Sequence, residues 1–320
     1  MINCLRKFLV TSSICIFSII AQAQPQQKNY RNQFLLVSEN DSYTLKVIDR
    51  YYTNGIALRF STALKETDNK KKLLNTEIGQ AIFTGYDTRK KHYERNLDRP
   101  YTGFVYAKAG LSYLYKNENV FRWNISAGVT GEAAKAQEVQ RFVHRSLGIK
   151  PAYGWDAQLR SDLAINGQAT YFQHLTKPAN KKSFDAFIVT DAMVGTTFTN
   201  FKAGALFRLG ALELPFNSAW WDGRLAVHQE QNLKHHELFF YFEPSLMVQA
   251  YNATVQGGLF AEQDGRFTSE IEPLIYQHRF GGMYARKQWT AQLGYTYRTK
   301  EAKTMKGKEV YGTIAIGYRF

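Results

Sequence analysis

The chain has 320 residues, of which 44% are hydrophobic and 21% charged, with a formal charge of +14 and two cysteines. That leaves room for one large domain or two small ones and excludes disorder and a collagen-like fibre. The 20 Tyr and 22 Phe against 7 Pro exceed what a globular enzyme core asks for and suit strand surfaces, so an all-β chain is the first expectation.

Residues 1–23 read as a secretory signal: Arg6 and Lys7, an apolar stretch from Phe8 to Ile20, then Ala21-Gln22-Ala23 around a cleavage point. Thr11, Ser12 and Ser13 interrupt the apolar stretch, which is shorter than the ~20 residues of a spanning helix. Both cysteines, Cys4 and Cys15, fall inside this segment. The expected mature domain, 24–320, therefore has no disulfide, thiol nucleophile or thiolate metal site.

Beyond it no apolar run is long enough for a membrane helix, yet alternating segments recur almost throughout. Strands are expected near 33–41, 52–63, 74–84, 102–116, 119–130, 154–162, 163–175, 184–198, 201–210, 236–250, 254–262, 268–286, 288–300 and 308–320. The alternation is poorest in the sixth, seventh and eleventh. Thr53, Gly55, Ala57, Arg59 and Ser61 oppose Asn54, Ile56, Leu58 and Phe60, so one face is polar or small and the other apolar. Trp289, Ala291, Leu293, Tyr295 and Tyr297 repeat the pattern with aromatics at the strand ends, as in lipid-facing bands with interfacial girdles. The final strand alternates to a terminal Phe320. Without spanning helices, only a closed barrel satisfies every backbone group in a bilayer. The expected fold is an antiparallel transmembrane β-barrel of the bacterial outer membrane, with twelve strands favoured and fourteen possible.

If the amino terminus is periplasmic, alternate connections face outward. The fourteen-segment reading places the loops near 85–101, 131–153 and 211–235 outside, with Lys70, Lys71 and Lys72 on the periplasmic side. In the loop from Gly131 to Tyr153 the period changes to 3.6: Glu132 to Leu147 reads as a helix ending at Gly148, a suitable C′ residue. Val139, Phe142, Val143 and Leu147 share its apolar side, and Gln137, Gln140 and His144 form a polar stripe. A histidine on that stripe is a candidate general base.

Four motifs sharpen this reading. Glu39-Asn40-Asp41, Asp49-Arg50-Tyr51-Tyr52-Thr53-Asn54-Gly55, Asp98-Arg99-Pro100-Tyr101-Thr102-Gly103, and Gln140-Arg141-Phe142-Val143-His144 followed by Gly154-Trp155-Asp156-Ala157-Gln158-Leu159 stand in order along the chain. Together they resemble the outer-membrane lipid A 3′-O-deacylase family, which has a twelve-stranded barrel. The resemblance implies a calcium-dependent carboxylic ester hydrolase that removes the 3′-linked acyloxyacyl group of lipid A. It also implies that His144 is the catalytic histidine, with Asn40, Asp41 and Thr53 beside it, and that Asp41 and Asn40 hold Ca²⁺. The chemistry is coherent: ester hydrolysis needs a base for water and positive charge at the oxyanion, which imidazole and an oxygen-bound hard cation supply.

Glu39 and Asp98 are further ligand candidates, and Asp98-Arg99 reads equally as an internal ion pair fixing its loop. Arg89, Lys90 and Lys91 on an outer loop, and Gln140 on the helix, are expected to bind substrate, the basic run through lipid A phosphates. Gly154-Trp155-Asp156 and Gln158 are expected to pin the helical loop to the barrel. His144-Arg145-Ser146 also has the spacing of an outer-membrane phospholipase-like serine hydrolase, but a helix would turn the two side chains about 200° apart. A non-catalytic pore or surface-binding barrel is the remaining alternative. No nucleic-acid-binding module is present, and the expected partners are lipopolysaccharide and the outer membrane.

Overall fold

The computed structural model describes residues 30–44, 50–86, 97–150, 152–176, 183–227 and 236–320; the proposed signal segment lies outside them. Twelve strands form one closed antiparallel barrel: β1 (Asn32–Asn40), β2 (Tyr51–Glu66), β3 (Lys70–Thr84), β4 (Thr102–Tyr115), β5 (Val120–Thr130), β6 (Asp162–His174), β7 (Phe184–Gly195), β8 (Phe198–Ala211), β9 (His236–Asn252), β10 (Leu274–Arg286), β11 (Trp289–Arg298) and β12 (Glu309–Arg319). Closure is by β1 on β12, in register from Gln33 opposite Arg319 to Asn40 opposite Gly312. Among the described residues no helix is long and apolar enough to cross a membrane.

The two-residue period dictates the two faces. Along β2 the buried residues Thr53, Gly55, Ser61 and Ala63 alternate with exposed Ile56, Leu58 and Leu64. Along β12, Ala315 and Arg319 point inward while Ile314, Ile316 and Tyr318 point outward. An apolar exterior around a polar interior is the arrangement a hydrocarbon surround requires. Phe34, Phe60 and the terminal Phe320 meet at ring separations of 5.2 and 5.6 Å, forming part of an aromatic belt near the chain ends.

The favoured count of twelve is borne out, and two of the three weakest segments are the ones that are not strands. Within 154–162 the chain makes a short 3₁₀ turn at Trp155–Ala157. Within 254–262 it makes the helix Ala253–Gln256, capped by the Asn252 side chain and ended by Gly257 at φ +86°. Their apolar residues serve rim packing: Trp155 is buried against Tyr101 and Ala136, and Val255 against Tyr51.

This correction reverses the expected position of the 211–235 loop. Counting 154–162 as a strand inverts the direction of every later strand until the second false strand restores it. Residues 212–227 actually enter the mouth that holds both described ends of the chain. Ala226 donates its backbone N–H to the Tyr30 carbonyl at 2.9 Å. Asp222 accepts from Gln33 and Ser61, and Lys71, as expected on the same side as the chain ends, donates to the Phe216 and Gly223 carbonyls at 3.0 and 2.6 Å. Trp221 is fully buried against Phe172 and Phe187. Arg208, also fully buried, pairs with Asp185 and donates to Ser218. The segment is a plug, holding the main apolar cluster inside the barrel.

Candidate functional site at the opposite mouth

The expected helix is present as α1 (Ala136–Ser146), preceded by a 3₁₀ turn at Gly131–Ala134 and followed by Gly148 at φ +67°. It can sit down on β4 because Gly103 has no side chain. A Cβ at Gly103 would lie 2.6 Å from the Ala136 Cβ and 2.8 Å from that of Ala134, far inside van der Waals contact. Gln80 of β3 adds a hydrogen bond of 2.6 Å to the Ala134 carbonyl.

The helix departs in part from the soluble-protein expectation, although Val139 still packs against the buried rim cluster. Gln140 and His144 on the polar stripe are buried, and Phe142 is 71% exposed. Burial of a polar stripe requires partners, and they are present. His144 Nδ1 lies 2.8 Å from the Lys150 carbonyl. Because a carbonyl can only accept, Nδ1 carries the proton, so in the neutral form of the ring the basic nitrogen is Nε2. Gln140 Oε1 accepts from the Trp155 indole at 2.7 Å. Trp155 in turn packs edge-on against Tyr101 at 5.4 Å, and Leu159 N–H bonds the Tyr101 carbonyl at 2.9 Å. The Gly154-Trp155 motif thus pins the loop to the barrel as expected. Gly154 is required because Tyr101's ring stands 2.4 Å from where its Cβ would be, at a backbone φ of +124°.

His144 opens on a cavity of about 560 Å³, walled also by Gln137, Gln140, Arg141, Arg145, Ile149 and the 152–156 segment. Ser146 lies outside it, exposed, with its hydroxyl donating to the Phe142 carbonyl at 2.9 Å. The helical geometry thus separates the serine from the histidine, against a serine–histidine pair.

Asn40, Asp41 and Thr53 gather at the same mouth, where β1 ends and β2 begins. Asn40 Oδ1 accepts from Ser42 N–H and Asp41 Oδ2 from Arg50 N–H, both at 2.8 Å. Asp41 is almost fully buried. Thr53 is the extra residue of a bulge in the β2–β3 pairing, a device that re-aims a side chain. Its hydroxyl lies 2.7 Å from that of Thr84. Beside it Tyr51 takes a φ of +64°, a costly conformation for an aromatic residue. None of Asn40, Asp41 or Thr53 lines the His144 cavity; the groups occupy neighbouring walls of one mouth. Arg89, Lys90 and Lys91 lie outside the described residues.

The donors at Asn40 and Asp41 suit a hard cation in kind, being carboxylate and amide oxygens. Among the described residues no three His, Cys, Asp or Glu side chains form a ready cluster, so further ligands would have to be hydroxyl, carbonyl or water oxygens. Glu39 and Asp98 are engaged structurally. Glu39 accepts from Tyr52 at 2.6 Å and Thr313 at 3.2 Å. Asp98 accepts from Tyr51, Tyr86 N–H and Lys306 N–H at 2.7–3.0 Å. Arg99 forms its ion pair with Glu301 and not within the Asp98-Arg99 motif, and it stacks 4.3 Å from the Phe83 ring. Burial alone would raise the Glu301 carboxyl, but Arg99 and Arg298 hold it below the usual carboxylate range. Sequence reasoning missed these partners in the β11–β12 loop, and it missed the contribution of Arg141 and Arg145 to the cavity, although Arg141 lies within one of the motifs and Arg145 directly follows it.

A family model described as outer membrane protein LpxR matches residues 9–320. No curated protein matches the chain. Among solved structures, LpxR from Salmonella typhimurium is similar at 21% identity and a TM-score of 0.73, covering 90% of this chain and 100% of that one. The β domain of the Bordetella autotransporter BrkA follows at 8% identity and a TM-score of 0.47, covering 92% of this chain and 100% of that one. The translocator domain of the autotransporter NalP from Neisseria meningitidis gives 7% and 0.43, covering 98% and 96%.

Proposed function

This chain belongs to the LpxR outer-membrane protein family, and from that premise we propose that it is a lipid A deacylase, hydrolysing the 3′-linked acyloxyacyl ester in the outer leaflet. It is a barrel of the bacterial outer membrane, so its unplugged mouth faces the cell exterior, where lipid A resides. The observation that carries the proposal is the setting of His144: buried, fixed in one tautomer by the Lys150 carbonyl, and open to a cavity at that mouth.

In this reading His144 Nε2 takes a proton from water as the water oxygen attacks the ester carbonyl. The bond from that carbon to the sugar 3′-oxygen then breaks, and the imidazolium returns its proton to the departing oxygen. The Lys150 carbonyl keeps the ring oriented and stabilises its charged form. Gln140, held by Trp155, fixes the helix turn that carries the base and is assigned a substrate contact. Asp41 and Asn40 would hold Ca²⁺, which when bound supplies the positive charge that ester hydrolysis needs. Thr53 offers a hydroxyl beside that pair, and Arg89, Lys90 and Lys91 would face lipid A phosphates.

The test is to incubate the purified protein with lipid A and calcium and to follow loss of the 3′ acyloxyacyl unit by mass spectrometry. Substituting His144→Ala should reduce the rate by about 10²–10⁴-fold, the range of general-base contributions, while Ser146→Ala should leave it near the wild-type value. Lipid A left intact by the wild-type protein at saturating calcium rejects the proposal.

A further inference from the structure

Most arginines described around the outer mouth have a carboxylate. Arg99 pairs with Glu301, Arg160 with Asp264 and Arg266 with Glu132. Arg141 and Arg145 differ. Both are exposed on α1, both line the His144 cavity, and neither has an ion-pair partner among the described residues. They stand four residues apart, so their like charges share one helix side and repel. The helix carboxylate Glu138 lies 3.5 Å from Lys135. Asp156 is the single acidic residue lining the cavity against the two guanidiniums.

The surroundings of this cationic pair are apolar. Phe142, Leu147 and Ile149 are 71%, 58% and 49% exposed, on the helix and the turn that follows it. Water penalises such a surface, whereas the interface of an outer leaflet accepts it. Two unmatched guanidiniums at a cavity edge, next to outward apolar side chains, match an amphiphile with a phosphate headgroup and acyl chains.

We propose that Arg141 and Arg145 form the subsite for the 4′-phosphate of lipid A. The inference deepens the deacylase reading and rests on it for the choice of ligand. In lipid A the 4′-phosphate sits one sugar carbon away from the 3′-ester. On the helix Arg141 and Arg145 flank His144 at positions −3 and +1. A phosphate gripped there would present the neighbouring ester to the imidazole, and the acyl chains would leave over the apolar side of the helix.

The experiment compares lipid A carrying the 4′-phosphate with lipid A lacking it, using wild type, Arg141→Gln/Arg145→Gln and Arg141→Lys/Arg145→Lys in detergent micelles. Equilibrium binding is measured in the His144→Ala background, and KM and kcat with the histidine intact. The Gln pair should weaken binding of the phosphorylated lipid about tenfold, consistent with loss of exposed charge-assisted hydrogen bonds, and raise KM accordingly with kcat within about twofold. It should not alter binding of the lipid without the 4′-phosphate, which wild type already binds about as weakly. The Lys pair should recover part of the difference. Because both side chains are exposed, all variants should keep the wild-type heat-dependent gel shift of a folded barrel. Equal binding of both lipids by wild type and the Gln pair overturns the subsite while leaving deacylation intact. Phosphate-dependent binding without turnover by the histidine-containing protein sinks the deacylase reading and leaves the subsite standing.

Discussion

The two mouths of the barrel are built on opposite rules. At the periplasmic end residues 212–227 enter the lumen with their largest aromatic inward, and their charged neighbours are matched: Arg208 with Asp185, Arg224 with Glu237. At the extracellular end the inserted element is a helix that buries Gln140 and His144 of its polar stripe, packs Val139 against the rim cluster and leaves Phe142 and Leu147 outward, beside a cavity edged by unmatched arginines. The first arrangement maximises buried, satisfied contacts and resists change. The second leaves His144 on the wall of a cavity and two arginines exposed, giving up contacts that a ligand could supply.

Substitutions at the two ends should separate these rules. The largest loss of stability should follow Asp185→Ala, which leaves the fully buried Arg208 without its carboxylate; breaking such a pair costs about 3–5 kcal/mol and should lower the temperature at which the barrel unfolds. Trp221→Ala, which empties a fully buried site in the plug, should cost about as much and should admit ion current across planar bilayers that the wild type blocks. Normal melting and no added conductance in both variants would break the comparison.

At the other mouth, Gln140→Leu removes the acceptor of the Trp155 indole and should cost about 1–3 kcal/mol. It should lower kcat through misplacement of the helix more than it lowers the melting temperature. The Arg99–Glu301 clamp gives a smaller, pH-dependent effect. Since the folded Glu301 carboxyl is held below its usual value of 4.5, its contribution is fully present above that value and is lost as pH falls through the depressed folded value. The part of the melting difference between wild type and Glu301→Gln that comes from this carboxylate should therefore shrink in strong acid. A difference that grows with acidification would show the sign to be wrong.

The barrel itself was legible because lipid and lumen impose a period of two on every strand, and β2, β5, β11 and β12 follow it with few exceptions. The two false strands were among the segments with the poorest alternation, and their apolar residues have another reason. Trp155 and Val255 are apolar because they pack into rim clusters, and a local pattern cannot distinguish a rim cluster from a lipid face. Once 154–162 was counted, strand direction went wrong for a third of the chain, which is why the plug was expected on the outside. The helix and its Gly148 stop were readable from spacing, but its orientation was not: Gln140 and His144 are buried while Phe142 and Leu147 face outward, an arrangement a membrane rim tolerates and water does not favour. His144 and Gln140 were found as a stripe. Their partners, Lys150 by its carbonyl and Trp155 by its indole, depend on a loop fold that no periodicity encodes.

The stopper formed by residues 212–227 bears on how the cell could tolerate such a protein. With Trp221 and the Arg208–Asp185 pair buried in its inner end, the cylinder is filled on the side of the described chain ends. Many copies could be displayed without each one opening a wide solute path through the membrane.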